Sequence, residues 1–543
     1  MRSHVGSGHQ RQGLVGLDFG SESARGVLID SETGALLASA THPYRHGIMT
    51  RSLPDGTPLP RGFALQVADD YVEAVDVILN KIARGVRILS IGLGFTASSP
   101  LPASANGLPL SRQQPSEPHA YVKLWKHSAQ RQADAINAAG GAYLRNCGGR
   151  LSGEWLIAKA AETAELAPDL WSAADRYIEA GDWLVWQLVG AEVRSLGFAA
   201  YKAQYADDAG YPTGLVPGLT DKLTPPRPIG SPAGLLTGEW CARTGIVGPT
   251  TVAVAVIDSH VVLPAVGGVK PGCLVSALGT SAVHLLLSQA RRPLPKGIEG
   301  MAFDGSVRGL WCYEAGQAAF GDVLAWFVRT FSRGDSLAAS FDWYNEAAAK
   351  IRPDAQQIVA LDWWNGNRVP HADSALSGLI AGLTLETSAA SIYRALLESL
   401  CFGARTVFEL FRAGGFAIDR VILTSGLVEH NPLLVQIMAD VLGRPVDVPV
   451  IAHPTAVGAA IHGAVADGLV ADFAEGAATY GARQVAVHHP DPANAAVYDD
   501  LFAIYQRLSG SSDIQGALHA IERRLPNGGA EEISADRAAS RSR

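Results

Sequence analysis

The same short arrangement occurs twice in this sequence, about half the chain length apart. Near the N-terminus, Gly20-Ser21 separates two strand-like apolar runs, and Gly279-Thr280 separates two such runs in the second half. A tight glycine turn with a hydroxyl residue between two strands points backbone N–H groups and an Oγ at one place, which suits phosphate oxygens. Either turn alone can also be a plain hairpin closure. The duplication predicts two similarly built halves, with a boundary near residues 267–271.

Apolar strands and amphipathic helices alternate through both halves. Helical periodicity of the apolar residues predicts helices over residues 69–83, 391–412, 431–442 and 455–466. Helices interleaved with strands predict an α/β fold of two domains around a central cleft, where ligands bind at strand ends.

The predicted domain limits follow from the duplication and from the two ends of the chain. Residues 1–13 and 526–543 lack periodicity, and we expect them to be disordered. The first domain is predicted over residues 14–268 and the second over residues 269–525.

Composition excludes several classes of protein. The 543 residues are 48% hydrophobic and 18% charged, which is enough apolar surface for a packed core. The net charge is −8, and no basic block is present for binding nucleic acid. The five cysteines have no CxxC or zinc-site spacing, and no apolar stretch reaches membrane-spanning length. We therefore expect a cytoplasmic protein without nucleic-acid or membrane partners.

Three motifs carry a resemblance to a known family. They are the segment from Asp18 to Arg25, the Gly279-Thr280 turn, and the segment from Ser425 to Asn431. Over residues 14–470 the chain resembles the FGGY carbohydrate kinases of the actin-like ATPase superfamily. Blocks at residues 94–100, 124–126, 153–159, 314–322 and 361–366 resemble the ribulokinase branch of that family. The resemblance implies two ribonuclease-H-like domains around the cleft, with the N-terminal domain (14–268) binding the sugar and the C-terminal domain (269–525) binding ATP. It also implies transfer of the γ-phosphoryl group of ATP to a sugar hydroxyl.

The ATP site that the resemblance implies is built from glycine turns. Asp18 ends the first strand, where it can hold Mg²⁺ through a water molecule, although an aspartate there can also form an Asx-turn. Asn431 can contact the nucleotide or cap the following helix. The predicted ATP-binding residues are Gly20, Ser21, Ser23, Arg25, Gly279, Thr280, Gly321, Ser425, Gly426 and Asn431.

Asp258 is the candidate catalytic base. It follows the buried strand predicted over residues 252–257 and lies near the domain boundary. A carboxylate there can accept the proton of an attacking hydroxyl, and FGGY kinases place their base in this segment. The alternative is that Asp258 caps a helix starting at Ser259.

The sugar site is implied by the ribulokinase-like blocks. They carry over the backbone of Ala97 together with Lys202, Asp258 and Glu314 as partners of the sugar hydroxyl and carbonyl groups. Lys202 can instead be an ordinary solvated lysine. Two tryptophans, Trp125 and Trp155, either stack on a sugar face or belong to the core.

The predicted function is ATP-dependent phosphorylation of a ketopentose, with ribulose as the first choice and ribulose 5-phosphate as product. The partners are the sugar and MgATP, and the sequence leaves a homodimer open. Gly94 stands where ribulokinases usually have an aspartate, and we place the missing carboxylate near the sugar pocket. This departure keeps other small ketoses and polyols, such as xylulose and ribitol, as alternatives. An actin-like ATPase without sugar chemistry is the alternative from another class.

Overall fold

The computed structural model describes residues 11–355 and 357–523. The predicted disordered tail at 526–543 lies outside the described residues, as do positions 1–10 of the predicted N-terminal segment. The first strand begins at Gln12, so the folded part starts two residues before the predicted limit. None of the helices within the described ranges has the length and apolar character needed to cross a membrane.

The strands form two large sheets and several short ribbons. In the first half the strands are β1 Gln12–Phe19, β2 Ser23–Asp30, β3 Leu36–Pro43, β4 Leu65–Gln66, β5 Arg87–Phe95, β6 Pro100–Ala103, β7 Val122–Lys123, β8 Arg176–Glu179, β9 Arg194–Ser195, β10 Pro226–Arg227, β11 Pro232–Leu235, β12 Thr251–Ala253 and β13 Val256–Ile257. In the second half they are β14 Cys273–Leu278, β15 Ala282–Ser288, β16 Gly300–Phe303, β17 Trp311–Gln317, β18 Val359–Leu361, β19 Leu379–Ala381, β20 Arg420–Thr424, β21 Val446–Val450 and β22 Gln484–His488.

Helices follow or separate these strands along the whole described chain. They are α1 Ala68–Ile82, α2 Gln130–Ala139, α3 Leu156–Leu166, α4 Pro168–Ala173, α5 Ala180–Val189, α6 Leu196–Lys202, α7 Gly238–Thr244, α8 Asp258–Val261, α9 Gly321–Thr330, α10 Leu337–Ala349, α11 Ala389–Ala413, α12 Gly426–His430, α13 Pro432–Leu442, α14 Pro454–Asp467, α15 Phe473–Tyr480, α16 Pro492–Ser509 and α17 Ser512–Glu522. The predicted helices agree with α1, α11, α13 and α14 to within two residues at each end.

The two large sheets share one plan. The first has the order β11-β12-β5-β1-β2-β3, with β13 also pairing with β5, and the second has the order β16-β17-β15-β14-β20-β21-β22. In each sheet an antiparallel meander, β1-β2-β3 or β14-β15-β17, is extended by parallel strands beginning with β5 or β20. This shared order confirms the α/β fold with two similarly built halves that the duplicated turns predict.

Helix α14 departs from the predicted division of the chain. Although it lies within 269–525, it packs on β1 and β5 of the first sheet, and α14 and α15 contribute to the core of the first half. A Cβ on Gly16 would lie 1.8 Å from the carbonyl oxygen of Ala456, and one on Gly92 would lie 1.8 Å from that of Ala459. Only glycine therefore permits this close helix-to-sheet contact. The boundary at residues 268–269 separates the two sheets, but helices α14 and α15 of the second half belong to the core around the first sheet.

The single strand predicted over residues 252–257 is interrupted. The structure has β12 to Ala253 and β13 from Val256, and both pair in parallel with β5. Strand β13 pairs with β5 at Gly94 and Phe95, next to the end of β1. The interruption shifts the chain so that Asp258, at the start of α8, follows directly on the strand ends.

Candidate active site

A cavity of about 370 Å³ is lined by residues from both halves. It contains most of the side chains that the sequence singled out for chemistry. The predicted residues in its wall are Asp18, Gly20, Ser21, Ala97, Lys202, Asp258, Gly279, Thr280, Glu314 and Ser425. The candidate base, the sugar partners and both glycine turns thus line one space, although they are spread over more than 400 positions of sequence.

Backbone hydrogen bonds close the two glycine turns. Gly20 N–H donates to the carbonyl of Ser23 (3.1 Å), and Gly279 N–H donates to the carbonyl of Ser281 (2.9 Å). The second turn is also held by Gly321, whose N–H donates to the carbonyl of Gly279 (2.9 Å). Because the backbone closes each turn, the hydroxyls of Ser21 and Thr280 are not needed for closure and can act at the cavity.

Five predicted ATP-binding residues, all of them described, do not line this cavity: Ser23, Arg25, Gly321, Gly426 and Asn431. Arg25 pairs with Asp18 across β1 and β2, and Gly321 supports the second turn from behind. The side chain of Asn431 caps α13 by accepting from Leu434 N–H (3.0 Å), and its amide donates to Asn345 (3.1 Å). These contacts are structural, and a direct contact of these residues with ATP stays a prediction.

Asp258 and Asp18 are two carboxylates in the same cleft. Burial, followed by the negative charge of Asp18, raises the pKa of Asp258 to about 7, although Ser259 N–H and Lys202 oppose the shift. Burial also raises the pKa of Asp18 to about 6, against the effect of Arg25. A carboxylate with a pKa near neutrality is a stronger proton acceptor than an ordinary aspartate, as a general base requires.

The helix-cap alternative for Asp258 finds little support in the structure. Asp258 is the first residue of α8, and the preceding Ile257 occupies the N-cap position without a side-chain cap. Asp258 Oδ1 accepts from the N–H of the adjacent Ser259, at 2.7 Å. An N-cap side chain bonds instead to the second or third helical N–H group. The second carboxylate oxygen of Asp258 is therefore available at the cavity.

We expect the activity to depend on pH through Asp258. A raised pKa means that the base form is lost as the pH falls through about 7, so log kcat/KM should rise with unit slope below that value and level off above it. A steady-state profile between about pH 5.5 and 8.5 measures this, with circular dichroism at each pH as the folding control. A profile that stays flat down to pH 5.5 would contradict the assignment.

Lys202 and Glu314 form an ion pair inside the cleft. Lys202 Nζ lies 3.2 Å from Glu314 Oε1, and the lysine is only 6% exposed. The other oxygen of Glu314 lies 3.1 Å from His260 Nε2, and Nδ1 of this fully buried histidine lies 2.6 Å from Ser306 Oγ. Burial would raise the pKa of Glu314, but Lys202 and His260 outweigh it and lower the pKa far below its ordinary value. The glutamate is therefore an ionised acceptor, and Lys202 is no solvated surface lysine.

Both tryptophans face the cavity. Trp125 donates its indole N–H to Ser21 Oγ (2.8 Å), which joins it to the first glycine turn. The ring of Trp155 lies 5.9 Å from Lys202 Nζ, and Trp155 also belongs to a small apolar core. The structure therefore supports core packing for Trp155, and stacking of either ring on a sugar stays a prediction.

Several residues at the site were not assigned from the sequence. Arg368 bonds to Glu154 from the opposite half (2.8 Å) and lies 3.9 Å from Glu299, and all three line both this cavity and an adjoining one of about 690 Å³. His260 stands two positions after Asp258 in the sequence, but its contact with Glu314 depends on the fold. A histidine so close to a predicted base was the available signal.

Gly94 lies beside the predicted metal-binding residue. It pairs with Asp18 across β5 and β1, and it is not among the residues that line the cavity. A Cβ on Gly94 would lie 2.8 Å from Val261 Cγ1 and 3.7 Å from Thr455 Cγ2. The cavity is lined both by Asp18, the strand partner of Gly94, and by Thr96 and Ala97, which follow it in the chain, so the placement of the missing carboxylate near the sugar pocket stays a prediction.

The donor set of the cleft fits a magnesium ion that arrives with a nucleotide. Within residues 11–355 and 357–523, no group of three or more His, Cys, Asp or Glu side chains is placed to hold a metal by itself. Mg²⁺ in kinase sites keeps several waters and is held by one or two carboxylates together with substrate phosphates. Asp18, which lies beside the glycine turns, offers such a carboxylate.

Comparison with known proteins defines the class of protein. The model of the FGGY family of carbohydrate kinases, C-terminal domain, matches residues 274–466. The ribulokinases of Mycolicibacterium smegmatis and Geobacillus thermodenitrificans are each 37% identical to this chain, over 91% of it and 93% of their own lengths.

Solved structures share the fold at low sequence identity. Xylulose kinase from Rhodospirillum rubrum superposes with a TM-score of 0.80 at 22% identity, over 94% of this chain and all of the other. Plasmodium falciparum glycerol kinase with ADP gives 0.75 at 13%, over 92% and 98% of the two chains. The fold is thus the one that these solved kinases share. The chain belongs to the FGGY family of carbohydrate kinases.

Proposed function

We propose that the protein transfers the γ-phosphoryl group of ATP to a hydroxyl of a ketopentose, with ribulose preferred and ribulose 5-phosphate as product. The observation that carries this proposal is that Asp258 shares one cavity with both glycine turns and with the Lys202–Glu314 pair. The ribulokinases that are 37% identical over nearly the whole chain support ribulose as the sugar.

Each side chain then has a distinct part in the transfer. Asp258 accepts the proton of the attacking hydroxyl as the sugar oxygen bonds to the γ-phosphorus, and the bond from this phosphorus to the β,γ-bridging oxygen breaks to release ADP. Lys202 donates a hydrogen bond to the sugar and Glu314 accepts one, so together they fix one orientation of the polyol. The backbone at Ala97 and the ring of Trp155 complete the wall on this side. The glycine turns hold the phosphates through their N–H groups and the hydroxyls of Ser21 and Thr280.

Mg²⁺ belongs to this proposal as the ion bound to ATP. Asp18 would hold it through water, and the ion supplies neutralisation of phosphate charge when it is bound. Ser425 remains among the proposed ATP-binding residues, because it lines the cavity, and its backbone φ is 116°.

We also propose a cytoplasmic location, since all five cysteines are unpaired. A homodimer stays a prediction.

A substrate panel tests the proposed function. ADP release would be coupled to a spectrophotometric assay with D- and L-ribulose, D- and L-xylulose, ribitol, xylitol and glycerol at equal concentrations. We expect a ribulose enantiomer to give the highest kcat/KM. A higher value for xylulose would move the proposal to another ketose. Comparable turnover of glycerol or xylitol would refute it.

A further inference from the structure

A buried lysine behind the part of the cavity formed by Ala97 and Trp125 binds the carbonyl groups of two segments of the site. Lys159 on α3 is fully buried, and its Nζ donates to the carbonyls of Ser98 (2.7 Å) and Leu124 (2.9 Å). It also lies 3.4 Å from the carbonyls of Lys123 and Trp125, so four carbonyl groups share its protons. An ammonium has three protons to donate, so these contacts use its full capacity.

A buried glutamate holds the same loop from a second direction. Glu179 accepts from Ser98 Oγ (2.6 Å) and from Ser99 N–H (2.7 Å). Burial lowers the pKa of Lys159 and raises that of Glu179, while the attraction between their charges opposes both shifts. Residues 96–99, the loop after β5 that presents Ala97 to the cavity (the Ala97 loop), are therefore held by the side chains of one buried lysine and one buried glutamate.

The contacts of Lys159 extend to the phosphate side. The segment that it holds at Leu124 continues into Trp125, whose indole N–H donates to Ser21 Oγ. The Lys159 side chain thus contacts both the Ala97 loop and the segment that carries Trp125, the tryptophan that contacts the first glycine turn. A buried charge is expensive to desolvate, and an apolar side chain of similar volume would fill the same space at lower cost.

We propose that Lys159 is a positioning residue for the sugar, setting the distance between the Ala97 loop and Trp125. This inference rests on the proposed function, because it assigns the sugar to the wall that these two elements form. Among the described residues, Lys159 is not one of those that line either cavity. It acts through the carbonyl groups of Ser98 and Leu124.

The chain offers a matched control in a second buried lysine. Lys123 is also fully buried, and its Nζ contacts Glu162 (2.6 Å), Thr163 (2.8 Å) and the carbonyl of Lys159 (3.3 Å). Its side chain therefore connects β7 to α3, and within the described residues it contacts no carbonyl of the Ala97 loop. Lys159→Met and Lys123→Met remove the same group from equally buried places.

The experiment compares these two variants in steady-state kinetics and calorimetry. For Lys159→Met we expect the KM and Kd for ribulose to rise roughly 10- to 100-fold, as a displaced binding group costs, with the KM for ATP within about twofold. Lys123→Met should leave both sugar constants within about twofold of the wild type. Equal sugar effects in the two variants, or an equal rise in the KM for ATP, would overturn the proposal.

Hydrogen exchange supplies a readout that does not depend on the sugar. Amides of residues 96–99, a segment that contains neither substitution, should exchange faster in Lys159→Met than in Lys123→Met, while residues 279–281 stay unchanged. Unchanged exchange of residues 96–99 would overturn the positioning role. If wild type binds no pentulose, the proposed function fails and the exchange result still decides the role of Lys159. Should Lys159→Met not fold, Glu179→Gln carries the same comparisons.

Discussion

Asp258→Asn is expected to lower kcat by about two to four orders of magnitude, the usual worth of a positioned general base. The amide keeps the shape of the carboxylate and can still accept from Ser259 N–H, but it has no basicity. A sugar hydroxyl is a poor nucleophile until its proton has an acceptor, so the loss should fall on the chemical step. Calorimetric binding of sugar and ATP should change far less than kcat.

A buried aspartate outside the cleft provides the control for this variant. Asp182 is 2% exposed and accepts from Ser195 N–H at 2.9 Å, and it does not line the cavity. Asp182→Asn should keep kcat within about twofold, provided the protein is folded. If Asp258→Asn retained near-normal turnover in a folded preparation, Asp258 would have only a structural place at the start of α8.

Glu314→Gln is expected to lower kcat/KM for the sugar by roughly 10- to 150-fold, which corresponds to the loss of hydrogen bonds to a charged group. The substitution removes the negative charge that faces Lys202 and His260, and it weakens the acceptor offered to the sugar. The KM for ATP should change little, because Glu314 lies on β17, whereas the glycine turns join β1 to β2 and β14 to β15. Steady-state kinetics with each substrate varied in turn measures the difference.

The chain contains a second cluster of the same composition that serves as the matched control. Glu162 lies 2.6 Å from Lys123 Nζ and 2.7 Å from His127 Nε2, and it lines neither cavity. Glu162→Gln therefore breaks a buried lysine–glutamate–histidine group without touching the cleft. If it lowers the sugar kcat/KM as much as Glu314→Gln, the effect is one of stability, and Glu314 has no special place in sugar binding.

Much of the site could be predicted because its motifs are local. A glycine turn between two strands needs only adjacent residues, so Gly20-Ser21 and Gly279-Thr280 are visible in the sequence. The position of Asp258 after an apolar run is visible in the same way. The family resemblance then supplied Lys202 and Glu314, whose contact at 3.2 Å joins residues far apart in the chain.

The remainder depends on contacts between distant segments that no local pattern encodes. The return of α14 to the first sheet depends on its approach to Gly16 and Gly92, which read as ordinary strand glycines in the sequence. Periodicity treats Lys159 as one polar residue on a helix, although the fold buries it among carbonyl groups. The pairing of Gly94 with Asp18 likewise joins two strands that lie far apart in the sequence.

The most direct test of the account is the fate of the γ-phosphoryl group. Phosphorus NMR of the wild-type protein with ribulose and MgATP should show a sugar phosphomonoester growing at the rate at which ADP appears. Omission of the sugar should nearly abolish ATP consumption. Release of ADP and inorganic phosphate without a sugar phosphate would contradict the account and identify an ATPase that uses the same cleft without sugar chemistry.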